Sequence, residues 1–299
     1  MKKLLGLGIA LITPFNKQGK IDFTSLENLV SSVIDGGVKY LVLLGTTGEA
    51  CTLKLKEKID IINCVKNVNN DRLPIVLGIG SNNTKKVIYN LNRINLDRID
   101  AILSVCPYYN KPTQKGIYNH FKKISDNTDK NIIIYNVPHR TGCNINIETI
   151  NKLIKKKNII GIKEASGNLI QSYNFIKKKT SKKFIILSGD DNLVLPIILG
   201  GGDGIISVIG QAFPKEFSKI ILLIKKKKIN YAYKIYYNII NIISLIFKEG
   251  NPSGIKTLLK LKGLCHEYVR LPLFKSSPNF EKKLFLELKK VHLFNEYIH

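Results

Sequence analysis

Ile159-Ile160-Gly161-Ile162-Lys163, followed at once by Glu164-Ala165-Ser166-Gly167, is the stretch on which the reading of the fold turns. The first five residues form a short apolar, β-branched run and read as a strand, while the next four read as a turn. Working outward, Asn131 to Val137 is a similar run upstream and Phe184 to Ser188 another downstream, with amphipathic segments between them. The alternation occurs eight times, the remaining candidate strands being Leu5 to Ile12, Tyr40 to Leu44, Pro74 to Gly80, Ala101 to Cys106 and Gly204 to Val208. Eight strand-then-helix units predict an α/β chain folded as a (β/α)₈ TIM barrel. An open doubly wound sheet would carry a Gly-rich phosphate loop after its first strand, and Thr13-Pro14-Phe15-Asn16 is not one. Thr24 and Glu27 fit a capping box that would start the first helix.

After about residue 225 the strand pattern stops. Three helical segments follow, roughly Asn230 to Lys248, Gly254 to Leu264 and Pro278 to Lys290, separated by Gly and Pro turns. The expected organisation is a catalytic barrel over 1–225 and a C-terminal helical appendage over 226–299.

The formal charge of +25 raises the question of a nucleic-acid or membrane partner. Only five of the 47 basic residues are arginine, and lysines are scattered among Ile and Asn, as in a coding sequence of biased composition. The runs Lys155 to Lys157, Lys177 to Lys179 and Lys225 to Lys228 fall at expected helix ends, where cations oppose the negative pole of the dipole. No nucleic-acid partner is expected. Met1-Lys2-Lys3 and the apolar residues after it resemble a signal peptide but show no small-residue cleavage site, so Leu5 to Ile12 is assigned as the first core strand. No stretch reaches the roughly 20 apolar residues needed to span a bilayer. The five cysteines are odd in number and lack a CxxC pair, which fits a reducing cytoplasm and neither a disulfide framework nor a zinc site. Of the histidines, His120, His266, His292 and His299 lie far apart, and no pair has metal-ligand spacing. No cofactor or metal is expected.

In such barrels the reactive groups sit at the C-terminal ends of strands. Lys163 ends the sixth strand, where a water-poor surrounding would favour the neutral amine that attacks a ketone to form a Schiff base. After the second strand comes Gly45-Thr46-Thr47-Gly48-Glu49, with two hydroxyls and closely spaced backbone N–H groups suited to gripping a carboxylate, or simply an ordinary loop. Tyr109 after the fourth strand and Tyr135 in the fifth are candidate acid/base groups linked through Thr46, or else they seal the barrel mouth. Arg140 is the only arginine in a strand-end window and suits bidentate recognition of a carboxylate. His139 reads as a solvated loop residue, and Asp190 or Asp191 as a helix cap.

Gly45 to Glu49, Tyr135 to Gly142 and Gly161 to Gly167, in that order and spacing, resemble the dihydrodipicolinate synthase family within the N-acetylneuraminate lyase superfamily of class I aldolases. The likeness extends to Pro107 to Pro112, Leu187 to Asp191, Gly204 to Val208, Asn251-Pro252 with Lys256, and Arg270 to Leu273. It implies a condensation of pyruvate with aspartate semialdehyde in diaminopimelate and lysine biosynthesis. By the resemblance, Lys163 forms the Schiff base and Tyr135, Thr46 and Tyr109 relay protons, with Tyr109 acting in a neighbouring subunit. Thr47 would hold the pyruvate carboxylate and Arg140 the semialdehyde carboxylate, while Gly189 and Ile206 line the pocket through their backbones. A homodimer or homotetramer follows from a site shared in this way. A sister lyase acting on N-acetylneuraminate or a 2-keto-3-deoxy sugar acid would share Lys163 and Tyr135 but is expected to replace Arg140 with sugar-hydroxyl contacts. His139 stands where the family usually has a small residue. Many bacterial relatives are inhibited by lysine, and the matching positions here read Ala50, Cys51, Leu55, Lys58, Asn82 and Lys86, a set expected to bind that effector poorly.

Overall fold

A computed structural model describes residues 4–179 and 184–295; Met1-Lys2-Lys3, the side chain of His292 and all of His299 lie outside the described residues. The eight strands are β1 (Gly6–Ala10), β2 (Tyr40–Leu43), β3 (Ile75–Gly78), β4 (Ala101–Val105), β5 (Asn131–Asn136), β6 (Ile159–Glu164), β7 (Ile185–Ser188) and β8 (Gly204–Ser207). They close into a barrel in sequence order, with the parallel registers that the alternating pattern predicts. Closure needs a bare backbone at one point: a β-carbon on Gly204 would fall 2.1 Å from the Gly6 carbonyl oxygen. The strands are built from Ile, Val and Leu that are almost fully buried, each side chain contributing about 1.5–3 kcal/mol on leaving water.

The helices are α1 (Phe23–Asp35), α2 (Leu55–Asn69), α3 (Thr84–Arg93), α4 (Gln114–Ser125), α5 (Pro138–Thr141), α6 (Ile147–Leu153), α7 (Leu169–Lys177), α8 (Val194–Leu199), α9 (Pro214–Lys225), α10 (Ile229–Leu245), α11 (Ser253–Leu261) and α12 (Pro278–Asn295). In α1 the residues Leu26, Leu29, Val30 and Val33 recur on one helical face and are buried. The capping box expected at Thr24 is not what starts it. Asp22 is the N-cap, its carboxylate accepting from the backbone N–H and the hydroxyl of Ser25, so Thr24 lies inside the first turn. The lysine runs do follow helix ends, since α7 ends at Lys177 and α9 at Lys225. Lys179 in one of them also pairs with Asp203 at 2.8 Å.

The chain packs as two compact units, each drawn from separate segments. The first comprises Met1–Gly8, Lys39–Gly45 and Pro74–Ile206, and the second Ile9–Val38, Thr46–Leu73 and Ser207–His299. In the first, His120 is buried on α4 with Nδ1 2.9 Å from the Thr84 hydroxyl, and its Nε2 is buried with no hydrogen-bond partner among the described residues. A second ring proton would have no acceptor there, and burial holds the imidazole down at about 4. In the second, Ile239, Ile242 and Ile243 of α10 and Leu258 and Leu259 of α11 are buried.

Candidate active site

Within the first unit, β5 and β6 pair so that Tyr135 lies opposite Lys163 and Asn136 opposite Glu164. Successive residues of a strand face opposite sides, so Tyr135 and Lys163 share one face of this rung and Asn136 and Glu164 the other. The Lys163 Nζ sits 4.3 Å from the centroid of the Tyr135 ring, and the two residues are 5% and 7% exposed. Gly189, just beyond β7, packs against this lysine: a β-carbon there would lie 2.9 Å from Lys163 Cε and 2.6 Å from Ala165 Cβ. Its N–H donates to the Glu164 carbonyl at 2.7 Å. Ile206 is buried in β8. A buried primary amine against a phenol ring is an arrangement able to add to a carbonyl and to exchange protons as it does so.

Glu164, read from the sequence as the start of a turn, is instead the last residue of β6 and is buried. Its Oε1 accepts from the Ser166 N–H at 2.8 Å and from Gln171 Nε2 at 3.2 Å, and its Oε2 accepts from Asn136 Nδ2 at 2.8 Å. Burial raises its pKa above the ordinary carboxylate range, and these hydrogen bonds oppose the rise.

Tyr109 follows β4 with a left-handed backbone, φ 74°, and is 89% exposed. Its N–H donates to the Thr141 carbonyl at 3.3 Å, and Cys143 Sγ donates to the Pro107 carbonyl at 3.0 Å, so the loops after β4 and β5 are tied together. His139 and Arg140 are exposed on the single turn of α5, which ends at Gly142 with φ 72°. Partial burial and the neighbouring Arg140 lower the His139 pKa, against an opposing pull from Asp190. Asp190 also caps the short turn after β7 by accepting from the Asn192 N–H, as its sequence position suggests.

The second unit holds Thr46 and Thr47. Thr47 is buried, and its hydroxyl accepts from Asn251 Nδ2 at 3.0 Å, while the Thr13 hydroxyl donates to the Gly48 carbonyl at 2.7 Å. The loop continues into Glu49, which is left-handed at φ 50° and buried. The carboxylate of Glu49 accepts from Lys256 Nζ at 2.5 Å and from the Arg270 N–H at 3.0 Å. Lys256 Nζ donates also to the Tyr268 carbonyl and lies 4.3 Å from the centroid of Phe15, with the Arg270 guanidinium 4.4 Å from the same ring. Arg270 in turn binds Glu57 through both terminal guanidinium nitrogens and donates to the Gly19 carbonyl. Desolvation lowers the Lys256 pKa, and the attraction of Glu49 opposes it. Sequence reading gave Glu49 no task of its own, and the signal for one was weak: its partner stands 207 positions away.

Among the described residues no group of three or more His, Cys, Asp or Glu side chains could hold a metal ion. No helix is long and apolar enough to cross a membrane, again among the described residues.

Residues 3–291 match the sequence profile of the Dihydrodipicolinate synthetase family. The chain is 69% identical over 288 residues to 4-hydroxy-tetrahydrodipicolinate synthase of Karelsulcia muelleri strain GWSS, covering 96% of this chain and 97% of that protein. To the enzyme of the same name from Flavobacterium psychrophilum it is 47% identical, over 97% of this chain and 99% of the other. Among solved structures, the chloride-inhibited dihydrodipicolinate synthase of Acinetobacter baumannii in complex with pyruvate superposes with a TM-score of 0.92 at 36% identity, covering 97% of this chain and 99% of that one.

Proposed function

We propose, for a chain that belongs to the dihydrodipicolinate synthetase family, a reaction centred on Lys163. The protein is a 4-hydroxy-tetrahydrodipicolinate synthase type of lyase, condensing pyruvate with aspartate 4-semialdehyde on the route to diaminopimelate and lysine. The observation that carries the assignment to Lys163 is the burial of its amine against the Tyr135 ring at the end of β6.

The amine of Lys163 adds to the C2 carbonyl of pyruvate, the carbinolamine loses water, and the resulting iminium withdraws electrons from the adjacent methyl. A methyl proton then leaves to give an enamine, whose carbon attacks the aldehyde of the second substrate. Each of these steps moves a proton, and that work is assigned to Tyr135, Thr46 and Tyr109 on the family likeness. By the same likeness Thr47 holds the pyruvate carboxylate, Arg140 the semialdehyde carboxylate, and Gly189 and Ile206 bound the pocket. The exposure of Tyr109 suits a phenol that serves a neighbouring copy, so a homodimer or homotetramer is the working form. Residues 1–225 are assigned as the catalytic barrel and 226–299 as its helical appendage. No nucleic acid, cofactor or metal takes part in this reading, and the cytoplasm is its place of action.

Borohydride reduction in the presence of pyruvate, followed by peptide mass mapping, tests the assignment. Label on Lys163 is expected, and label elsewhere or none overturns it.

A further inference from the structure

The rung that carries Lys163 and Tyr135 has a second side. Along the face of β5 and β6 that bears Asn136 and Glu164, the preceding pair in register is Ile134 and Ile162, both buried. Polar residues replace isoleucine at the last pair, one residue beyond Tyr135 and Lys163 and on the opposite face. Two strands need no carboxylate there to stay packed, because well-fitted apolar side chains hold a buried face at least as well as a buried charged group does.

The polar rung is fully engaged. Asn136 Nδ2 donates both to Glu164 Oε2 and to Asn144 Oδ1, at 2.8 Å each, and Asn136 Oδ1 accepts from the Ile145 N–H at 3.2 Å. Gln171, on α7, donates to Glu164 Oε1 at 3.2 Å and to Asn144 Oδ1 at 3.1 Å, and accepts from Asn144 Nδ2 at 2.8 Å. The backbone is tied as well: the Asn136 carbonyl accepts from the Ala165 N–H at 2.9 Å, and the Glu164 carbonyl from the Gly189 N–H at 2.7 Å. The chain atoms flanking Lys163 and Tyr135 are thereby fixed from β5, β6, the loop after α5, α7 and the turn after β7.

We infer that Glu164, with Asn136, Asn144 and Gln171, forms a positioning network that fixes the Lys163 amine against the Tyr135 phenol from the outer face of the barrel wall. The inference rests on the assignment of Lys163 above. None of the four touches substrate. Their effect runs through the strand backbone, whose two adjacent residues are the catalytic ones. A carboxylate suits the task because it accepts three hydrogen bonds from three different segments at once, where an amide in its place sets one donor against another.

The test compares wild type with Glu164→Gln, which sets an amide donor against the donors that the carboxylate now accepts from, and Gln171→Ala, which removes one of those donors. For each, kcat and the KM for pyruvate are measured, together with the rate of borohydride trapping and the thermal unfolding midpoint. The expected result is a fall in kcat and trapping rate of about 10-fold or more in Glu164→Gln, a smaller fall in Gln171→Ala, and a pyruvate KM within about twofold. Lowered kcat at an unchanged unfolding midpoint in Gln171→Ala is the result that a generally weakened barrel would not give. Should Glu164→Gln fail to fold, Gln171→Ala at the rim still carries the comparison. Unchanged kcat in both Glu164→Gln and Gln171→Ala overturns the network, as does unchanged kcat in Gln171→Ala alone where Glu164→Gln does not fold. Absence of label on Lys163 in wild type overturns the functional assignment and the network with it, whereas normal wild-type labelling with unaffected variants overturns the network alone.

Discussion

Lys256 and Glu49 form an ion pair in which both side chains are entirely shielded from water. Removing one member of such a pair leaves a charge in a medium that cannot solvate it. Lys256→Met is expected to cost about 3–5 kcal/mol in unfolding free energy, read by denaturant titration, and Glu49→Gln/Lys256→Met considerably less. Equal losses in the single and double variants would mean that the pair is not what the methionine disturbs.

Gly189 leaves room for the Lys163 stem and for nothing else. Gly189→Ala would set a methyl within 3 Å of both Lys163 Cε and Ala165 Cβ. The lysine must swing aside, and displacement of a reacting group by about 1 Å can cost about 100-fold in rate. A drop in kcat of about 10- to 100-fold is expected, with the circular dichroism spectrum retained; full activity in the alanine variant would show that the lysine does not need its present path.

His120 supplies the first step of acid sensitivity. Its folded pKa lies at about 4, below the ordinary 6.5, so between those values the unfolded chain binds a proton that the folded chain refuses. Stability is therefore fully present above about 6.5 and falls as the pH drops toward 4, by an amount on the order of 3 kcal/mol for this single group. His120→Asn is expected to flatten the unfolding midpoint across that window. An unaltered slope would assign the sensitivity to other groups.

Glu57 supplies the next step. Its hydrogen bond to Arg270 lowers its pKa from 4.5 to about 2, with a backbone hydrogen bond to Lys54 adding to the effect. A depressed carboxylate stabilises the fold above its unfolded value and loses that contribution as the pH falls from about 4.5 toward 2. Glu57→Gln should remove the pH dependence in that range, measured by urea titration, and leave the His120 window intact.

Lysine is expected to inhibit weakly. Positions that match the family's effector site carry Lys58 and Lys86, cations that would face the ligand's own ammonium, and Ala50 and Leu55, which offer it no side-chain acceptor. Half-maximal inhibition in the sub-millimolar range, in a steady-state assay with saturating substrates, would contradict this.

What was legible in the sequence was what neighbouring residues decide. The Ile- and Val-rich runs gave all eight strands to within a few residues, because β-branched side chains between Gly, Pro and Asn signals are a local property. The start of α1 differs from the expected one because Thr24 and Glu27 match the capping-box spacing, while the structure brings the Asp22 carboxylate to the Ser25 N–H. Glu164 departs from its expected turn for a related reason. A charged residue after an apolar strand looks like a turn until its acceptors are matched with Asn136 and Gln171, which come from other segments. The places of Tyr135 and Lys163 near strand ends follow from counting strands, whereas the burial of Lys256 against Glu49 has no local signature at all.

The clasp between Arg270 and the Gly19 carbonyl joins residues 251 positions apart. During synthesis, Gly19 leaves the ribosome long before its partner exists. The unit that contains them cannot be fastened until Arg270 has been made, and until then its early segments wait with Phe15 uncovered by either cation.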